Sequence, residues 1–371
     1  MSIQLRDYQS SAIEFLVPRK RAFLISPAGS GKTIMAASAV ARAIRPFQKV
    51  GWLCGTVEQR DQGVAALSRV EGPEGVTIDV QCAAARPDFS DCDVVVIDEA
   101  AHATAKGTWL PVIAGLKPSA ICWGFSATPW GEDEDRNNEL REIFKEFHTV
   151  TREQVENSGH LARARVLFHR LDEPGQFDDE IANATNIETL RRCRKFPRIA
   201  EWEHRRRAQW QCTLDVLKQN RTRNAHICYT ASAAAAAGHS TLVLVQSIEH
   251  GLELSAATPG SELVYSKVAA KKRKALMDNF RSGDLKILFG TQVCDEGVDF
   301  PRASVLVLAA GGRARGRVEQ RTGRILRPFG DKEFGQVHDY TDEGAIFAAA
   351  QARAREKLYR DLNYTVEFTR G

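Results

Sequence analysis

At 371 residues the chain is long for one core and ample for two domains, and its 43% hydrophobic and 26% charged residues make an ordinary globular mixture. A formal net charge of +4 is too small to identify a nucleic-acid partner, and no apolar run approaches the ~20 residues needed to cross a bilayer, so no membrane partner is expected. The opening "MSIQLRDYQS" has no basic-then-apolar leader pattern, and eight singly scattered cysteines without a C-x-x-C pair argue for reduced thiols, hence a cytoplasmic protein.

In chain order, "RAFLISP" reads as a short buried strand running into a glycine loop, and "GKTIMAASAVARAI" then carries apolar residues at helical spacing. "KVGWLCG", "DVVVID" and "AICWGFSA" are further strand candidates, and continuous apolar strands of this kind suit a parallel sheet buried on both faces. From about 171 to 220 convincing strands are lacking, and the stretch reads as helical and charged. Between Arg191 and Arg223 it holds eleven Lys or Arg against three acids. Its Cys193, His204 and Cys212 fit no familiar zinc spacing. A second strand-and-helix block follows. "NAHICYTASAAAAAGH" is its entry helix, closed by Gly238 as the residue after the C-cap, and "STLVLVQS", "ELVYS", "KILFGT" and "ASVLVLAA" are its strands. "AAAQARAREKLYRDL" reads as a closing helix. The expected organisation is a first α/β domain over 1–165, a helical basic insert over 166–220, a second α/β domain over 221–345 and a C-terminal helix over 346–371, with no further domain and a monomeric state.

Two segments carry chemistry. "SPAGSGKT", residues 26–33, sits between a strand and a helix, where a phosphate loop belongs. Gly29, Ser30 and Gly31 let backbone N–H groups curl around phosphate oxygens, Lys32 can reach the β- and γ-phosphates, and the Thr33 hydroxyl can ligate Mg²⁺. The strict pattern has glycine where Ser26 stands. About 65 residues on, "VVVIDEAAHA" ends a strand in Asp98 and Glu99. At the carboxyl end of a parallel strand they would face the loop, with Asp98 holding the Mg²⁺ water shell and Glu99 deprotonating an attacking water.

These residues resemble the superfamily 2 helicases, and the resemblance runs through most of the chain in the right order. "LRDYQ" resembles the N-terminal glutamine motif, "SPAGSGKT" motif I, "GTVEQ" motif Ia, "IDEAAH" motif II, "FSATP" motif III, "LVLVQSIEHG" motif IV, "GTQVCDEGVDFP" motif V and "QRTGRILRP" motif VI. The resemblance implies two tandem RecA-like domains with parallel sheets and ATP bound at their seam. Gln9 would read the adenine edge, Thr56 would lie on the nucleic-acid side, and Ser126 and Thr128 would relay closure. Gly297 and Asp299 would touch ribose or phosphate, and Gln320, Arg324 and Arg327 would reach the γ-phosphate from the second domain. Arg324 and Arg327, three apart, are expected to share a helix face.

Motif VI beginning Q-R resembles DNA-directed members such as UvsW-type phage helicases, RecG, XPB and type I restriction motors. The expected activity is therefore an ATP- and Mg²⁺-dependent DNA helicase or translocase. An RNA-directed helicase, or an ATP-switched loading factor that does not unwind, remains an alternative. In the insert, Phe196, Trp202 and Trp210 interleave with arginines including Arg205 and Arg206, a pattern that suits either stacked bases and clamped phosphates or a solvated helical linker. The motif II histidine stands one residue late: Ala101 occupies the D-E-A-H slot, and His102 is expected to serve coupling to motif III.

Overall fold

A computed structural model describes residues 4–105, 107–131, 133–159, 161–291, 300–309, 311–312, 315–327, 329–330 and 332–370. Helices and parallel strands alternate from the start: α1 (Asp7–Leu16), β1 (Arg21–Ile25), α2 (Lys32–Ala43), β2 (Lys49–Cys54), α3 (Val57–Leu67), β3 (Thr77–Cys82), β4 (Val94–Asp98), α4 (Trp109–Ala114), β5 (Ile121–Ser126), α5 (Glu134–Ile143), β6 (Glu146–Thr149) and α6 (Arg152–Asn157). The strands form one parallel sheet in the order β3-β2-β4-β5-β1-β6. Central β4 is buried at every position, which its unbroken Val-Val-Val-Ile run allows and an alternating sequence would not. Phe23, Leu53, Val95, Ile97, Cys122 and Phe144 belong to one apolar core of this unit. Strands β3 and β6 fell outside the expected set because they are edge strands with polar, half-exposed positions.

A second compact unit begins at Ala162. It contains β7 (Arg163–Arg170), α7 (Asp178–Lys195), α8 (Glu201–Gln219), α9 (Arg221–Ala236), β8 (Ser240–Leu244), α10 (Ile248–Ala256), β9 (Ser261–Val264), α11 (Ala270–Ser282), β10 (Ile287–Gly290), β11 (Ala303–Leu308), α12 (Arg315–Gly323), β12 (Phe334–Tyr340), α13 (Ile346–Asp361) and β13 (Thr365–Arg370). Its sheet is also all parallel, in the order β13-β7-β12-β11-β8-β10-β9. Gly238 follows the C-cap of α9 at φ +91°, the left-handed conformation expected of it.

Two expected boundaries are corrected. The first domain does not run to 165 and the insert does not start at 166, because "RARVLFHR" is β7, a strand of the second sheet. Its alternate positions are buried between β12 and β13, while Arg165 reaches across to Glu367 at 2.7 Å. The C-terminal segment is not helical to its end. The helix α13 stops at Asp361, Asn363 turns the chain at φ +58°, and the β-rich run "TVEFTR" becomes β13 beside β7.

Buried ion pairs tie the second unit together. Arg355 of α13 makes a two-pronged pair with Asp339 at the end of β12, both contacts at 2.8 Å, and Tyr359 donates to the same carboxylate at 3.0 Å. Arg223 of α9 meets Asp342 at 2.7 Å. With both partners of each pair almost fully buried, each charge depends on its hydrogen bonds for compensation. Among the described residues, no helix is long and apolar enough to cross a membrane, and no group of three or more His, Cys, Asp or Glu is placed to hold a metal ion.

Candidate active site

The loop between β1 and α2 is shaped by two backbone torsions. Gly29 and Gly31 both sit at φ +85°, where a Cβ is strained, and Gly31 is the N-cap residue of α2. Ser26 has no positive φ, so the glycine of the strict pattern is not required there. Its hydroxyl instead donates to Ser30 Oγ at 2.6 Å, and its amide N–H donates to the Ser126 carbonyl at 3.0 Å, fastening the loop to β5. Lys32 extends its amine to the carbonyl oxygens of Ser26 and Pro27 at 3.2 and 3.3 Å, inside the curl of the loop. Thr33 is half-buried in the first turn of α2.

The N-terminal helix braces this loop from behind. Gln9 is buried; its side-chain amide donates to the Ser30 carbonyl at 3.1 Å, and its Oε1 accepts from the Arg6 N–H. Tyr8, which sequence reasoning passed over, donates its hydroxyl to the same Ser30 carbonyl at 2.8 Å. The only signal for Tyr8 was its place beside Gln9 in "RDYQ".

Asp98 ends β4 fully buried, and burial pushes its carboxyl up to about 7, with the neighbouring Glu99 charge adding to the rise and Lys32 opposing it. A buried carboxyl beside a second, half-buried one, opposed by the Lys32 ammonium, suits a divalent cation, so Thr33 and Asp98 fit the hard-oxygen ligation Mg²⁺ takes. Glu99 holds φ +54°, unusual for a residue with a side chain, and its N–H donates to Asp98 Oδ1 at 3.0 Å. Ser126 Oγ lies 3.5 Å from Glu99 Oε2 and accepts from the Thr128 N–H at 3.3 Å, so motif III touches the acid pair directly.

The residues after the acid pair differ in burial. Ala100 is wholly buried, close enough to Gly124 that a Cβ there would lie 3.0 Å from the Ala100 methyl. His102 emerges from the short turn after Glu99, exposed, with its ring 5.9 Å from that of Trp109. Thr56 spends its hydroxyl as the N-cap of α3, accepting from the Gln59 N–H at 3.3 Å.

In the second unit, α12 ends at Gly323, one residue before Arg324. The expectation that Arg324 and Arg327 share a helix face is therefore corrected: Ile325 and Leu326 are buried and pull the chain into the core, and the Leu326 carbonyl accepts from the Ala162 N–H at 2.7 Å. Arg324 is buried and Arg327 half-buried within this irregular turn. Gln320 lies in α12, where its side chain is outside the described set, and Gly297 and Asp299 lie outside the described residues altogether. The structure separates the insert's aromatics. Trp210 of α8 lines a shallow recess at the carboxyl ends of β8 and β11, with Lys218, His250 and Gly312. Arg205 and Arg206 are exposed on α8, away from that recess.

Two parallel-sheet α/β units, one carrying a phosphate loop and an acid pair at the carboxyl ends of its strands, define a tandem RecA-like nucleotide-binding protein. Residues 222–328 match the model of the helicase conserved C-terminal domain, and residues 2–77 match that of the type III restriction enzyme res subunit. The chain is 22% identical to the DNA 3'-5' translocase XPB2 of Sulfurisphaera tokodaii, over 95% of this chain and 84% of that one. It is also 22% identical to the putative helicase 22 of Sulfolobus islandicus filamentous virus, over 74% of this chain but only 47% of the viral protein, about half its length. The structure of S. cerevisiae Dbp5 bound to RNA and ADP BeF3 superposes with a TM-score of 0.62 at 15% identity, covering 98% of this chain and 89% of that one. By these matches the chain is similar to the superfamily 2 helicases.

Proposed function

We propose that the chain is the motor of an ATP-dependent DNA helicase or translocase, coupling ATP hydrolysis to movement on duplex or branched DNA. The observation that carries this reading is the first-unit site: a glycine-torsioned phosphate loop holding Lys32, and buried Asp98 followed by half-buried Glu99, which is tied to motif III through Ser126. DNA is favoured over RNA by the Q-R opening of motif VI, and XPB2, a DNA 3'-5' translocase, supports that choice and a 3'-5' polarity.

In this reading Gly29, Ser30, Gly31 and Lys32 take the phosphates of ATP through backbone N–H groups and one ammonium. Glu99 takes the proton of the attacking water. Gln9 contacts adenine, Gly297 and Asp299 contact ribose or phosphate, and Gln320, Arg324 and Arg327 neutralise charge that develops on the γ-phosphate. Thr33 and Asp98 hold Mg²⁺, which when bound offsets phosphate charge. Ser126, Thr128 and His102 couple hydrolysis to nucleic acid, which Thr56, Arg205, Arg206 and Trp210 contact.

ATPase activity compared across single-stranded, duplex, forked and four-way-junction DNA and matched RNA tests the reading. Stimulation by DNA is expected, and stimulation by RNA alone would sink it. Robust DNA-stimulated turnover without displacement of any tailed or branched duplex would instead favour a switch that loads or remodels. Lys32→Ala should abolish turnover, and undiminished hydrolysis would overturn the phosphate-loop assignment.

A further inference from the structure

The hairpin of α7 and α8 has two unlike ends. Its base is apolar and buried, with Ile181, Cys212 and Leu217 packed in one cluster with Ala345 and Ala348. Its tip is open. Phe196 is 50% exposed and Trp202 66% exposed, although rings of this size are usually at least partly covered in a folded domain. Charge is divided along the same axis. Asp178, Asp179 and Glu180 open α7, while residues 191–207 hold eight Lys or Arg against two acids.

Those cations are not all committed to the protein's own carboxylates. Arg191 and Arg192 meet Glu188, and Arg207 meets Glu203. Among the described residues Arg194, Arg198, Arg205 and Arg206 have no carboxylate partner, and all four are exposed. In α8, Trp202, Arg205 and Arg206 share one face by their i, i+3, i+4 spacing. The tip's backbone is also held in place: buried His204 donates from Nε2 to the Phe196 carbonyl at 3.0 Å, and the Ile199 N–H reaches the same oxygen at 3.2 Å. Two pre-positioned aromatic faces among uncommitted guanidinium groups match a polymer that alternates flat rings with phosphates.

We propose that the tip of the α7–α8 hairpin grips single-stranded nucleic acid, with bases stacked on Phe196 and Trp202 and phosphates held by Arg194, Arg198, Arg205 and Arg206. The inference rests on the nucleic-acid motor reading and adds to it a contact surface outside the helicase motifs. The test measures anisotropy of a labelled oligothymidylate with the full chain across a salt series, for wild type, Phe196→Ala/Trp202→Ala and Arg194→Glu/Arg198→Glu. The aromatic variant should bind about tenfold or more weaker with its salt slope unchanged, and Trp202→Phe should retain most of the affinity. The charge variant should flatten the log–log salt slope by about 1.4, the equivalent of two phosphate contacts on a single strand. ATP turnover without nucleic acid should match wild type in both. Wild-type affinity and slope in both variants, or stronger capture of wild type by anionic phosphatidylserine vesicles than by the strand, would overturn the proposal. If wild-type ATPase is stimulated by DNA and the variants still bind normally, only the tip assignment falls. If the strand binds through the tip but no DNA, single-stranded, duplex or branched, stimulates hydrolysis, the motor reading falls and the tip assignment stands.

Discussion

Gly31→Ala probes the phosphate loop through its backbone rather than its charge. Gly31 sits at φ +85°, and an alanine forced into the left-handed region costs roughly 1–2 kcal/mol. A Cβ there would also lie 2.7 Å from Gln9 Nε2, too close for any relaxed contact, so the buried amide must leave its bond to the Ser30 carbonyl. Losing that bond adds about 1 kcal/mol. The sum, about 2–3 kcal/mol, should lower the melting temperature of the first unit by roughly 4–12 °C at the ~2–4 °C per kcal/mol typical of this size. Calorimetry of Gly31→Ala, Gln9→Ala and the double variant separates the two causes. Removing Gln9 relieves the collision but not the torsion, so the double variant should be less destabilised than the sum of the singles, while ATP turnover stays lost wherever alanine occupies 31. A Gly31→Ala protein with wild-type stability and turnover would refute the loop geometry. Strict additivity with Gln9→Ala would refute the contact between the glutamine and the loop.

His102→Ala should preserve ATP turnover without nucleic acid and reduce its stimulation by DNA, as steady-state ATPase assays can show; loss of basal turnover would place the ring in the chemistry instead. Asp339→Ala strands the buried Arg355 guanidinium and the Tyr359 hydroxyl and should destabilise the second unit by about 3–5 kcal/mol in urea unfolding, whereas a loss below about 1 kcal/mol would mean the pair is not buried as described. Acid should weaken the same unit. Burial lowers His169 to about 4 and His338 to about 3, His169 Nε2 lying 2.8 Å from His338 Nδ1, so both are neutral when folded and the unfolded chain takes up protons first as pH drops. Their contribution is therefore complete above pH ~6.5, declines below it, and is worth at most about 3 kcal/mol for His169 by the time pH reaches 4. Urea midpoints that stay flat between pH 7 and 4.5 would contradict this, and His338→Gln should reduce the dependence.

Local order in the chain was enough to place the glycine loop and the acidic strand end. The phosphate loop depends on torsions that glycine alone adopts readily, and Gly29 and Gly31 declare them without any partner. The acid pair follows an unbroken apolar run that only a sheet interior accommodates, so Asp98 and Glu99 were legible at a strand end. The tandem α/β architecture was legible for the same reason, since eight apolar runs separated by helical patterns leave few alternatives.

Tertiary structure decided what depends on partners far along the chain. "RARVLFHR" is a strand because residues 334–340 and 365–370 flank it, and its arginines hid that role until Glu367 was placed opposite Arg165. Arg324 and Arg327 leave the helix because Ile325 and Leu326 are drawn into a core that their own spacing does not reveal. The same holds for the aromatics of the insert, which sequence reads alike. Trp210 is half-covered where α8 crosses the strand ends, and Trp202 is left in solvent two turns earlier. Backbone torsion and hydrophobic period act over a few residues and can be read directly; burial is a property of what the rest of the chain brings alongside.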